Sequence, residues 1–358
     1  MALVSPIPGA FGQVSTGVSL LLGIAGTTVT TIRDLPEAVL TKSAAGQWAA
    51  GFANGVFGER VDGSGEPLPA VMSVRVGQRR VKLTRASVAA AYPSASRRLV
   101  VFLHGLVETE RSWLRSGWTA GTRSGGDFGS RLAKDLGCSP VYVRYNSGRH
   151  ISDNGRELID LLSGLVDAWP VAVTDIVLVG HSMGGLVARS ALHQAHARAK
   201  GWSSKVTRLV CLGTPHTGAP LERVVARASA LLGRGLLGVP LSWLLALRSD
   251  GIKDLAVGCL HEKQWMRQYA DETLETVLPP TVRQLFISAT LSRLDGSMLG
   301  RLVGDLLVGP ASAADDSQRA DVRWLGGLNH FDLLRHDRVY DAMLTWLRQN
   351  ERVADPRS

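Results

Sequence analysis

Gly180-His181-Ser182-Met183-Gly184 fits G-x-S-x-G, a spacing that presents a serine for nucleophilic attack. The apolar, β-branched run at residues 176–179 precedes it and reads as a buried parallel strand. A helical pattern follows, with Leu186, Val187, Ala191 and Leu192 at helix-face spacing. A strand that turns sharply into a helix holds the serine in a strained backbone conformation, and neighbouring chain passes too close at Gly180 and Gly184 for side chains. The turn lifts the hydroxyl clear of the sheet and aims the first unbonded N–H groups of the helix at the reacting atom. The plain alternative is a Gly-rich turn with an idle serine. The strand before it and the helix after it favour the chemical reading.

A serine is a weak nucleophile at neutral pH, so it needs a base, and the base needs a group to orient it. Where a serine sits on such an elbow, the chain order is serine, then Asp or Glu, then His. Residues 283–288 read as a further core strand, and Val303-Gly304-Asp305-Leu306-Leu307-Val308-Gly309-Pro310 then sets a carboxylate in a Gly/Pro-flanked loop. Residues 322–325 give a last short strand that ends in Gly326-Gly327-Leu328-Asn329-His330-Phe331-Asp332. His330 is the expected base and Asp305 the expected acid, with Asp295 the runner-up. Asp315, Asp316 and Asp321 read as loop charges, and Asp332 lies too near His330 in sequence to orient it from the far side. His193, His196, His261 and His336 fall on helical stretches and read as solvated. His216 follows the apolar strand at residues 208–212 and precedes any suitable acid, so it is a pocket-lining candidate rather than the base.

Acyl transfer also requires hydrogen-bond donors for the developing oxyanion. The apolar strand at residues 99–103 ends in His104-Gly105-Leu106, and the expected donors are the backbone N–H groups of Leu106 and Met183. His104 and His181 are candidates for substrate contact, the alternative for His104 being a structural loop residue.

These pieces, together with Gly213-Thr214-Pro215-His216-Thr217-Gly218, resemble α/β-hydrolases of the bacterial lipase and esterase type, close to the true-lipase and PGAP1-like branch. The likeness spans roughly residues 97–350. It implies an α/β-hydrolase fold, with a mostly parallel central sheet, helices on both faces, and a serine carboxylic-ester hydrolase activity. In that branch the acid lies in an Asp-Gly-Leu-Val-like segment about two dozen residues ahead of the histidine; here the interval is 330 − 305 = 25 positions. Leu306 stands where the branch often has Gly. The resemblance leaves open an acyltransferase using the same residues and a PGAP1-like deacylase of lipid head-group esters. A non-catalytic binding module is the reading furthest from this pattern.

The surrounding elements must hold those residues in place. At 358 residues and 45% hydrophobic composition the chain has material for a large core with an inserted lid. A helical N-terminal arm is expected over 1–65, either packed on the rest or facing lipid as a peripheral membrane element. Gly63 to Pro69 reads as a linker, and residues 71–76 with 80–83 as a hairpin entering the sheet. The hydrolase domain is expected over 70–350, with a lid or cap at about 219–280. The lid's apolar middle includes Trp243 and Leu244, candidates for contact with an acyl chain. Trp113, Trp118 and the stretch to Gly129 are expected to form the opposing wall, and residues 153–168 an amphipathic scaffold helix. Cys138, Cys211 and Cys259 are too widely spaced for a disulfide framework, which favours a reducing, cytoplasmic setting. The net charge of +9 comes from 40 basic and 31 acidic residues dispersed along the chain, with no nucleic-acid module. No metal and no cofactor is expected. The expected partner is a small-molecule or lipid ester, with peripheral membrane contact as an additional role.

Overall fold

The computed structural model describes residues 71–77, 79–114, 126–216, 218, 250–258, 260, 278–290 and 320–349. In chain order the strands are β1 (Ser73–Val76), β2 (Arg79–Arg80), β3 (Arg98–Leu103), β4 (Ser139–Arg144), β5 (Asp175–His181), β6 (Val206–Leu212), β7 (Arg283–Thr290) and β8 (Ala320–Gly326). The helices of at least one turn are α1 (Arg85–Ala91), α2 (Arg111–Leu114), α3 (Phe128–Leu136), α4 (Ile151–Ala168), α5 (Met183–Ala197), α6 (Asp250–Val257) and α7 (Asp337–Gln349). The expected N-terminal arm, Trp118, Asp295, Asp305, Asp315, Asp316, His261, Cys259, Trp243 and Leu244 lie outside the described residues.

One sheet of eight strands, in the order β2-β1-β4-β3-β5-β6-β7-β8, organises the chain. From β4 to β8 every pairing is parallel, while β1 pairs antiparallel with both β2 and β4. Parallel strands connected by helices are covered on both faces, which is why β3, β5, β6 and β7 read as near-continuous apolar runs. Alternation along β3 divides the core: Leu99, Val101 and Leu103 pack with α4 and α5, whereas Val100 and Phe102 pack with α3 and α7. Each fully buried Val, Leu or Phe contributes about 1.5–3 kcal/mol relative to exposure. Among the described helices, none is long and apolar enough to cross a membrane.

Two strands differ from the expectation. The hairpin enters the sheet as anticipated, but its second strand is only Arg79–Arg80, an exposed outer edge; one further backbone bond, Val81 N–H to the Val74 carbonyl (3.0 Å), closes it as Val81 turns inward. β4 was not anticipated. Its last residue, Arg144, stands opposite Ser73 of β1 and is buried, and Glu110 receives its guanidinium through two bonds of 2.5 Å.

Register decides where the loops meet. Leu103 stands opposite Gly180, and His181 opposite Leu212. The carboxyl ends of β3, β5 and β6 therefore finish level, and β7 and β8 run the same way beside them with Thr290 opposite Gly326. The loops beginning at His104, Ser182, Gly213 and Gly327 all leave that one edge, where open α/β sheets build ligand sites.

Candidate active site

Ser182 is the pivot between β5 and α5. Its backbone has φ 53 and ψ −122, a conformation that few non-glycine residues adopt and that persists only where the surroundings impose it. The imposing contacts are visible on both sides. A Cβ at Gly180 would lie 2.5 Å from the Gly185 Cα, and one at Gly184 would lie 2.6 Å from the His104 carbonyl oxygen and nearer still to that of Leu103. The sequence expectation of close approach at these two glycines is thus met. Ser182 N–H donates to the Leu212 carbonyl (2.8 Å), and Gly185 N–H donates back to the Ser182 carbonyl (3.1 Å), so the turn is tied to β6 and to the first turn of α5. Ser182 is 2% exposed.

His330 sits in the loop after β8, where the chain is fixed at short range on both sides. Asn329 Oδ1 accepts from the Phe331 and Asp332 N–H groups (2.9 and 3.2 Å), and Asp332 Oδ2 accepts from the Asn329 N–H (3.0 Å). These bonds brace the turn that leads into the short 3₁₀ segment Asp332–Leu334 and engage one oxygen of the Asp332 carboxylate locally. The imidazole lies against Gly213: a Cβ there would be 2.8 Å from His330 Cε1 and 2.9 Å from Nδ1. Gly213 has φ +61 and directly follows Leu212, whose carbonyl holds the Ser182 N–H. Both expected chemical groups are brought to the same strand end. A strained serine at a helix N-terminus and an imidazole at the same strand end are the two groups that general-base activation of a hydroxyl requires.

The loop after β3 supplies the facing wall. A turn runs from Gly105 to Glu108, with Glu108 N–H donating to the Gly105 carbonyl (3.3 Å) and Val107 held at φ 62. A β-branched residue in the left-handed region is an outlier that the surroundings must enforce; here Val107 N–H donates to Ser147 Oγ (3.1 Å). Among the described residues, no backbone acceptor takes the Leu106 or Met183 N–H. These are the two expected oxyanion donors.

His104 and His181, the candidate substrate contacts, are both fully buried. Tyr145 N–H donates to His104 Nε2 (3.3 Å), so the ring hydrogen is on Nδ1, which bonds the Gly105 carbonyl (2.9 Å). Burial lowers the His104 pKa below its usual value. The Tyr145 ring stacks on His104, centroids 4.2 Å apart. His181 points away from the Ser182 hydroxyl, as read from the sequence: Nδ1 is 3.0 Å from Glu108 Oε2, and Nε2 is 3.2 Å from the His330 carbonyl oxygen. Glu108 was not anticipated, although its place three residues past Gly105 in a buried loop marks an acid that must find donors.

His216 follows Gly213 as expected, but it faces Arg189 of α5, whose Nη1 donates to Nδ1 at 2.7 Å, and its ring stacks on Phe286. Burial and the adjacent guanidinium push its pKa well down, so it stays neutral. Trp113 is buried against Phe102, centroids 5.0 Å apart, and stands edge-on to His181. Its ring thus supports the elbow from the core. Cys138 and Cys211 are free and buried, and burial raises their thiol pKa values to about 11 and about 12.

A family model described as a PGAP1-like alpha/beta domain matches residues 146–230, a span that includes the Ser182 elbow. No curated protein matches the chain. Similar solved structures include a Bacillus licheniformis lipase in mature form, 18% identical with TM-score 0.46 over 69% of this chain and 91% of that one. An esterase of Pyrobaculum calidifontis is 16% identical with TM-score 0.44, over 71% and 76%. A lipase-esterase related protein from Clostridium acetobutylicum is 11% identical with TM-score 0.38, over 72% and 95%. The chain therefore resembles the PGAP1-like segment across its elbow, and that elbow crowns a mostly parallel sheet in the α/β-hydrolase manner.

Proposed function

We propose that the protein is a serine hydrolase of carboxylic esters, with lipid or acyl-chain esters as substrates. Ser182 Oγ attacks the ester carbonyl carbon while His330 takes its proton. Asp305 holds the imidazole in the tautomer that accepts it. The N–H groups of Leu106 and Met183 stabilise the oxyanion, the term that usually contributes most in acyl transfer. Collapse of the tetrahedral species expels the alcohol, protonated by His330. Water, deprotonated by the same imidazole, then cleaves the acyl-enzyme and regenerates Ser182.

The observation that carries this reading is the convergence of two groups 148 positions apart (330 − 182) on one strand end: a serine at φ 53 whose N–H bonds the Leu212 carbonyl, and an imidazole packed on the next residue, Gly213. The test is hydrolysis of a chain-length series of nitrophenyl esters by wild type and by Ser182→Ala. Wild type is expected to turn over and Ser182→Ala to be inactive while retaining its fold. Activity near wild type in Ser182→Ala would overturn the reading. The match of residues 146–230 to the PGAP1-like model favours a second substrate reading, an ester on a lipid head group, which a panel of acylated head-group lipids distinguishes from simple acyl esters. Adding alcohol and thiol acceptors and analysing the products separates hydrolysis from acyl transfer.

A further inference from the structure

We infer that Glu108 is a positioning residue of this site: through one carboxylate oxygen it ties the loop after β3 to the elbow and, by way of His181, to the loop that bears His330. The inference rests on the reading of Ser182 and His330 as nucleophile and base. Glu108 Oε2 accepts from Gly105 N–H at 2.8 Å and faces His181 Nδ1 at 3.0 Å. His181 Nε2 in turn lies 3.2 Å from the His330 carbonyl oxygen, and the two histidine rings are 4.7 Å apart. Glu108 and His181 are both buried.

The Gly105 N–H immediately precedes that of Leu106, so fixing the turn from Gly105 to Glu108 fixes where the Leu106 donor points. His181 immediately precedes Ser182, so the same oxygen sets the height of the elbow against that donor. His181 Nε2 lies beside the His330 carbonyl, which brings the imidazole loop against the same frame. One carboxylate oxygen thus binds groups from two of these loops, and the His181 it meets lies against the third. A buried carboxylate is costly unless several donors satisfy it, and a position serving packing alone would accept an apolar residue as well.

Because both bonds end on one oxygen, reach and charge can be separated. Glu108→Gln keeps a carbonyl oxygen at the same reach without the charge; Glu108→Asp keeps the charge and stops one methylene short. With nitrophenyl butyrate, Glu108→Gln is expected to keep kcat within about threefold. Glu108→Asp is expected to lose about 10²-fold in kcat, with KM within about twofold, the size of effect that a small misplacement of reacting groups produces. Unchanged kcat in Glu108→Asp, a Gln variant as poor as the Asp variant, or parallel changes in kcat and KM would overturn the inference. Circular dichroism checks folding; if Glu108→Asp does not fold, His181→Asn cuts the next link, and wild-type kcat there would equally overturn it. Wild type and Ser182→Ala run alongside. Ser182-independent turnover would overturn the underlying reading and this inference with it, whereas Ser182-dependent turnover with an indifferent Glu108→Asp would overturn only the inference.

Discussion

Gly184→Ala probes the spacing between the elbow and the loop after β3. The added Cβ would sit 2.6 Å from the His104 carbonyl oxygen and closer to that of Leu103, against an ordinary contact of at least 3.4 Å. Both neighbours are backbone at the end of a buried strand, so no side chain can swing aside. Relief requires the start of α5 and the end of β3 to separate by at least about 0.8 Å (3.4 − 2.6). Overpacking of this kind costs about 1–3 kcal/mol, which for a chain of this length corresponds to a fall in Tm of about 1–5 °C. The same movement draws the Met183 N–H away from the Leu106 N–H, and a displacement near 1 Å at reacting groups costs about 10²-fold in rate. The control is Gly201→Ala, where an added Cβ meets nothing within 4 Å and φ is not positive; its Tm should hold or rise slightly. Thermal unfolding and nitrophenyl butyrate turnover on both variants complete the assay. Gly184→Ala with wild-type Tm would refute the packing claim, and a lowered Tm with undiminished kcat would refute the claim that this spacing matters to the chemistry.

Three further outcomes are expected. Asp305→Asn should lower kcat by several orders of magnitude, as neutralising a triad carboxylate does in serine proteases; if Asp295→Asn does this while Asp305→Asn is near neutral, the acid lies in the other loop. The double change Trp243→Gln with Leu244→Gln should raise KM for laurate esters and spare butyrate, because each methylene buried contributes about 0.8 kcal/mol; equal effects on both would deny these residues an acyl-binding role. Glu110→Ala leaves the buried Arg144 guanidinium without its two-bond carboxylate and should cost about 3–5 kcal/mol in urea unfolding, and a loss under about 1 kcal/mol would mean the pair is not the anchor of β4.

The sequence was most informative where one local rule decides the structure. β3, β5, β6 and β7 were legible because strands buried on both faces are apolar throughout, and the elbow because two glycines bracket a serine between a strand and a helix. β4 was not. Its Ser-Pro-Val-Tyr-Val-Arg carries a proline and ends in an arginine, and that arginine is buried only because Glu110 meets it from 34 positions away. α4 begins at Ile151 rather than 153 for a similar reason. Its first N–H is taken by Asp254 Oδ2 (2.8 Å), a cap from 103 positions along the chain. Glu108 is the same case within the site itself, since its partner His181 lies 73 positions away. Local pattern reveals which residues are equipped for chemistry, while the groups that hold them in place are fixed by tertiary pairing.

Reaction with a fluorophosphonate, mapped by tandem mass spectrometry, tests the pairing of Ser182 with His330 most directly. The expected result is a single modified residue, Ser182, with no labelling in Ser182→Ala and a labelling rate in His330→Ala lowered by at least about 10²-fold, the lower range of a general base's contribution. Modification at any other residue, or an unchanged rate in His330→Ala, would contradict it.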